Sequence, residues 1–114
     1  MARAPTTSDV FNAVAEPCRR DILDVLALGE RPVNGLVEEL GLTQPQVSKH
    51  LRVLREVGAV EVRGEGRRRV YRLNAVALRP LADWVARYEE LWSERFDLMD
   101  KVLDEMKEEK DGRE

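Results

Sequence analysis

Two clusters of side chains in this sequence could do chemistry, and both suit a polyanion better than a reaction. The first is Gln44-Pro45-Gln46-Val47-Ser48-Lys49-His50-Leu51-Arg52. Glutamine pairs bidentately with adenine, Lys and Arg with guanine, and Ser with bases or phosphate, so Gln44, Gln46, Ser48, Lys49 and Arg52 are candidate readers of double-stranded DNA. The second is Arg67-Arg68-Arg69. Arg67 and Arg68 can reach a minor groove or its phosphates, where arginine is favoured, while Arg69 and Arg72 can pair with local carboxylates. Catalysis has nothing comparable to rest on. The chain holds one His and one Cys, with no Gly-rich phosphate loop and no nucleophile beside a base. The expectation is no enzyme, no cofactor and no metal site. His50 sits next to an apolar position, which suits packing or a contact to backbone phosphate better than a metal.

The elements that must position these groups follow from periodicity. Thr43-Gln44-Pro45-Gln46 reads as a capping box, with Thr43 as N-cap, Gln46 at N3 and Pro45 where its missing N–H costs nothing. The helix behind it extends to about Val57, with Val47, Leu51 and Leu54 turned to a core and the polar side chains outward. A short helix over about Asn34–Leu40 precedes it, and Gly41-Leu42-Thr43 leaves room only for a tight turn. Helix, three-residue turn with Gly, helix is the helix-turn-helix pattern. Upstream, Ser8 is placed to cap a short helix carrying Val10, Phe11 and Val14, which Pro17 interrupts. A second helix spans about Cys18–Leu28 on Ile22, Leu23 and Leu26, and Gly29–Pro32 reads as a turn.

After Gly58 the apolar period changes from 3.6 to 2. Val60 and Val62 alternate with charge, Gly64-Glu65-Gly66 forms a tip, and Tyr71 and Leu73 share a face on the return, giving a hairpin over residues 60–73. The expected fold class is mainly α with a small β-hairpin: a winged helix-turn-helix with a long C-terminal dimerisation helix. Residues 1–8 read as a flexible arm, 9–110 as one DNA-binding and dimerisation domain, and 111–114 as a disordered tail.

Asn74 is placed to cap a new helical run, and Pro80 to open a long helix over residues 80–110. Such a helix reaches roughly 46 Å, longer than a small domain is wide. Its stripe includes Trp84, Tyr88, Leu91, Trp92, Phe96 and Met99. One small monomer cannot cover it, so a homodimer is expected, with Phe11 of the first helix joining that interface. A pocket lined by Trp84, Tyr88, Trp92 and Phe96 is the alternative use of these rings, and would make the chain a ligand-responsive sensor. Cys18, beside Arg19 and Arg20, offers a redox-responsive version of that reading, against an inert small residue near a cap. A protein-interaction module built on the acidic last helix is the remaining alternative.

Charge decides against that last reading. The chain has net charge −3 over 114 residues, yet the stretch Thr43–Arg72 holds eight Lys and Arg against three Glu, and Asp83–Glu114 holds six against twelve Asp and Glu. A basic middle is the footprint of a nucleic-acid contact that the total conceals. Apolar residues at 43% suffice for one core. No stretch approaches the ~20 apolar residues of a membrane span, nothing at the N-terminus reads as a signal peptide, and a single Cys suits a reducing cytoplasm.

Three runs together carry a family resemblance: Val14-Ala15-Glu16-Pro17-Cys18-Arg19-Arg20-Asp21-Ile22-Leu23, the stretch from Leu36 through Gly41-Leu42-Thr43-Gln44-Pro45-Gln46-Val47-Ser48-Lys49-His50-Leu51-Arg52 to Gly58, and Gly66-Arg67-Arg68-Arg69-Val70-Tyr71-Arg72-Leu73. Over about residues 9–75 the chain resembles the ArsR-type, arsenic-repressor-like bacterial regulators. The resemblance implies a homodimeric winged-helix repressor whose first and last helices form the interface, with DNA contacts at Gln44, Gln46, Ser48, Lys49 and His50. Metal-sensing members hold a Cys-x-Cys pair where this chain has Val33-Asn34-Gly35-Leu36, and others use His on the last helix, which has none here. The resemblance is therefore to a non-metal-sensing branch, with the small-molecule inducer left unspecified.

Overall fold

The computed structural model describes residues 9–111, with side chains through residue 109. The expected arm, residues 1–8, and residues 112–114 of the expected tail lie outside the described residues, while Asp111, expected in that tail, is helical. In chain order the elements are α1 (Val10–Ala13), α2 (Pro17–Leu28), β1 (Arg31–Pro32), α3 (Val33–Leu40), α4 (Gln44–Glu56), β2 (Val60–Glu65), β3 (Arg68–Leu73), a 3₁₀ turn (Ala75–Leu78) and α5 (Arg79–Asp111). The chain divides into two compact units at Leu81/Ala82.

The first unit is built around one apolar stripe from each helix. Ile22, Leu23 and Leu26 of α2, Leu36 of α3 and Val47, Leu51 and Leu54 of α4 are buried together with Ala13, Ala59, Val60 and Tyr71. These are the positions that helical spacing assigns to the core, apart from Val37 and Leu40, which are half-buried at its edge. Between α3 and α4 the chain reverses at Gly41, whose φ of +66° is the left-handed conformation a helix C-terminus favours; its N–H donates to Val37 O at 3.0 Å. Farther back, the corner between α1 and α2 is held by two α2 arginines. Arg19 donates to Ala13 O and Asn12 O, and Arg20 to Val14 O and Ala15 O, so cations meet the free carbonyls at the end of α1.

The wing is a three-stranded antiparallel sheet in the order β1-β3-β2. Val62 faces Tyr71 and Val60 faces Leu73, and Glu65 faces Arg68 across a two-residue loop. That loop opens on Gly66 at φ +64°, as primed hairpin turns require. Here two expectations need correction. Arg31 and Pro32 form a strand rather than a turn, pairing with Tyr71 and Val70; Pro32 is tolerated because β1 is an edge strand. Val70, on the face opposite Tyr71, is also buried. Asn74 caps nothing with its side chain: its N–H donates to Ala59 O and its Nδ2 to Gly58 O, both at 2.8 Å, tying the end of β3 to the corner after α4.

Smaller shifts have local causes. Asp9, not Ser8, caps α1, its carboxylate accepting from Phe11 N at 2.8 Å. Pro17 opens α2 instead of only interrupting the chain, since the first helical turn needs no N–H from it. In the second unit α5 continues through Asp111, 33 residues from Arg79. Trp84 and Tyr88 meet edge to face with ring centres 5.7 Å apart.

Leu54 is fully buried where α4 meets the core. Leu54→Ala is expected to cost about 2–5 kcal/mol by lost burial and an unfilled cavity, read from urea unfolding midpoints at unchanged slope.

Candidate nucleic-acid interface

Helix α4 begins with the capping box that the sequence spells. Gln46 N donates to Thr43 Oγ1 at 3.3 Å, and Gln46 Oε1 accepts from Thr43 N at 2.9 Å. With both partners engaged the first turn is fixed, and Pro45 within it withholds no needed donor. Val47, Leu51 and Leu54 then lock one side of the helix into the core. Alongside that buried stripe, about a quarter-turn round the helix, Gln44, Ser48 and Arg52 are exposed at successive i, i+4 positions, which places them in one row. Arg52 lies within 3.7 Å of Glu56 across one turn, a solvent-facing pair of little energetic weight. Lys49 is exposed on the adjoining face.

The structure does not bring all the expected readers into that row. Gln46 spends its Oε1 on the cap, leaving only its amide nitrogen for a partner; bidentate pairing with adenine would undo half of the capping box. His50 lies on the far flank of the buried stripe, within electrostatic reach of Glu16 and Arg19 of α2. Its Nδ1 is buried with no hydrogen-bond partner among the described residues. Burial lowers its pKa below the ordinary 6.5, the Arg19 guanidinium pushes the same way, Glu16 opposes, and Lys49 adds to the lowering.

The arginines of the wing divide into two kinds. Arg63 bonds Glu30 and Glu65, and Arg72 bonds Glu61 through Nε at 3.0 Å. These pairs brace the hairpin against itself and against the segment before β1. Arg67, Arg68 and Arg69 are exposed, and among the described residues no carboxylate pairs with them. Arg72 thus finds the expected local carboxylate and Arg69 does not. The three unpaired guanidinium groups share a surface cleft with Gln44, the first residue of the α4 row.

Comparison with known proteins gives this geometry a family. The model of the bacterial regulatory proteins of the arsR family matches residues 16–62, from the start of α2 into the wing. A solution structure from Mycobacterium bovis, titled a homodimeric winged helix-turn-helix DNA-binding domain and a possible ArsR-family regulator, is 32% identical, with TM-score 0.60 over 77% of this chain and 92% of that one. The chain belongs to the ArsR family. It is a winged helix-turn-helix transcriptional regulator, and α4 is the second helix of its turn motif. Among ArsR-family relatives, the transcriptional repressor SdpR of Bacillus subtilis is 28% identical over 71% of this chain and 90% of its own. The probable mercury resistance operon repressor of Streptomyces lividans is 39% identical over 58% of this chain, which spans only about half, 53%, of that protein.

On this ArsR-family chain the remaining expected sites lie elsewhere. In the second unit Trp84, Tyr88, Leu91, Trp92, Phe96 and Met99 are all exposed, from 42% at Tyr88 to 59% at Phe96. Phe11 of α1 is exposed as well. An apolar concavity of about 260 Å³ on α5 is lined by Leu98, Met99, Val102 and Leu103, beyond the four rings proposed for a pocket. Cys18 is half-buried in the first turn of α2. Sequence reasoning passed over Asn34, which lines the same cleft as Arg67–Arg69 through a packing relation with no local signal.

Gln46→Ala should lower stability by about 1 kcal/mol in urea unfolding, and Gln46→Glu should retain most of it, because a carboxylate also accepts from Thr43 N. His50 gives a pH dependence of definite sign. The unfolded chain binds a proton at this residue more readily than the folded chain, so its contribution is intact above the ordinary value of 6.5 and is lost as pH falls from there through the lower folded value. Thermal melts should therefore drop between neutral and mildly acidic pH in wild type, and less so in His50→Gln.

Proposed function

We propose that this ArsR-family chain is a homodimeric repressor that binds an inverted-repeat operator without a metal. One observation carries the reading: the row Gln44, Ser48, Arg52 stands exposed on a helix whose adjoining face is locked into the core, with unpaired wing arginines beside its first residue. Side chains at the start of such a helix reach base edges in the major groove, and Gln44, Ser48, Lys49 and Arg52 have suitable donors and acceptors. Gln46 contributes through its free amide, His50 from the flank, and Arg67 and Arg68 through phosphate or a narrow minor groove. The names of two relatives favour repression over activation. A chain with this role works in the cytoplasm, where the DNA is.

Dimerisation is supported by the uncovered stripe of α5, which a second copy would bury, and by the homodimeric state stated for the Mycobacterium bovis relative. Two-fold symmetry then sets two α4 rows in successive major grooves about 34 Å apart. The residues present do not fit a soft-metal site. Mercury and arsenic chemistry calls for thiolates, whereas α3 opens on Val33, Asn34, Gly35 and Leu36, and Cys18 is the chain's one thiol. Among the described residues, no three His, Cys, Asp or Glu side chains come together as metal ligands.

Binding of variants to operator and scrambled duplexes across a salt series tests the division of labour. Ser48→Ala should cost roughly 1–3 kcal/mol on the operator and little on scrambled DNA, since only base readout is lost. Paired Arg67→Ala and Arg68→Ala changes should weaken both duplexes and flatten the slope of log K against log salt, because phosphate contacts release counterions. Equal losses for Ser48→Ala on both duplexes would contradict the assignment. Trp92→Glu should yield monomer or aggregate in sedimentation and abolish operator binding; a well-folded wild-type monomer at micromolar concentration would sink the dimer.

A further inference from the structure

We infer that the cleft between the start of α3 and the tip-side end of β3 is a phosphodiester seat, in which Asn34 and Arg69 hold the DNA strand that runs past the α4 row. The inference rests on the DNA-binding reading above and adds a site to it. The cleft has a volume of about 280 Å³ and is lined by Pro32, Val33, Asn34, Gln44 and the three arginines Arg67–Arg69. Three features of it select a ligand.

Its charge is of one sign. Arg67, Arg68 and Arg69 all line it and no carboxylate is among the lining residues. This is not a general property of the wing, because Arg63 and Arg72 on the same hairpin are neutralised by Glu30, Glu65 and Glu61. The sheet thus keeps its own cations paired on one part and leaves three unpaired at the cleft. Like charges gathered without a counter-charge repel one another, and an anion relieves that cost. Arg forks match the paired oxygens of a phosphate.

Its neutral polar lining is of the complementary kind. The Asn34 and Gln44 side-chain amides each carry two N–H donors, which fit a phosphate oxygen without adding charge. Pro32 and Val33 supply the apolar remainder, suited to the sugar of a nucleotide.

Its place fixes which anion this is. Gln44 belongs both to the cleft and to the exposed α4 row, so an anion seated in the cleft lies one residue's width from the groups assigned to base edges. A free phosphate would have no need of that adjacency, whereas a backbone phosphate beside the bases being read occupies it as a matter of geometry. Arg69 stands opposite Gly64 in the register, so no side chain crosses from β2 at that position. Arg69 therefore joins Arg67 and Arg68 as a DNA ligand, and the first helix of the turn motif enters the interface through Asn34.

The test uses the full chain and a random-sequence duplex of about 30 base pairs, so it does not depend on knowing the operator. Amide and side-chain NMR signals are followed during titration with the duplex and, separately, with inorganic pyrophosphate. Binding is measured over a salt series for wild type, Asn34→Asp, Asn34→Ala and Arg69→Ala, with melting temperature as the check on folding. The duplex should shift the Asn34 signals at concentrations where pyrophosphate does not. Asn34→Asp should weaken duplex binding roughly tenfold by setting a carboxylate against phosphate, and Asn34→Ala by less. Arg69→Ala should reduce the salt slope by about one unit per copy. An unmoved Asn34 signal with an unchanged Arg69→Ala slope, in a wild type that does bind the duplex, overturns the seat and leaves the DNA reading standing. Saturation by pyrophosphate at lower concentration than by DNA overturns it in favour of a free-phosphate site. Absence of wild-type binding to any duplex overturns the DNA reading and the seat together.

Discussion

Helix α4 presents a polar row because the buried side next to that row cannot move. Val47, Leu51 and Leu54 are each no more than 1% exposed, and rotating the helix by one residue, about 100°, would pull all three from the core and push Ser48 or Arg52 into it. Burial of three aliphatic side chains, on the order of several kcal/mol, thus sets the azimuth of the functional face. The capping box sets its axial position, since Thr43 and Gln46 close the first turn where the row begins. A side chain that must find base edges has to start from such a fixed frame, because a looser one would spend its interaction energy on ordering itself.

The wing is fixed by different means. Its core contact comes from Val60 and Tyr71, and its outer part is braced by charge, with Arg63 bridging to Glu30 and Glu65 and Arg72 to Glu61. Each exposed pair is weak alone, but together they orient the hairpin relative to the segment before β1. The side chains left over from this pairing are the ones proposed to meet DNA. Structural cations and functional cations on one hairpin are distinguished by whether a carboxylate is within reach, not by sequence position.

Local signals were the legible ones. The capping box is spelled within four residues, the turn of the motif depends on Gly41, and the core stripes follow from 3.6-residue spacing, so all three could be read directly. What escaped reading depends on distant pairing. A two-residue strand containing Pro32 has no periodicity of its own and exists only because Arg31 and Pro32 meet Tyr71 and Val70. Asn74 has the composition of a cap, and nothing nearby announces that its amide is taken by Gly58 O. Gln46 carries two readings in one side chain, and the local one, closing the box, occupies the oxygen that the other would use. His50 joins the DNA contacts only through the family resemblance, and helical geometry puts it on the α2 side of the stripe.

The proposed function rests on one surface, made of the α4 row and the unpaired wing arginines, used twice if the chain pairs symmetrically. Hydroxyl-radical footprinting of the DNA flanking the chain's own gene tests this most directly, because it reads binding, symmetry and spacing in one experiment. The account predicts two equivalent protected patches related by a two-fold axis, centred about one helical turn apart, with lighter protection of the adjoining minor grooves from the wings. A single asymmetric patch, or no protection at protein concentrations that saturate non-specific DNA, would contradict it.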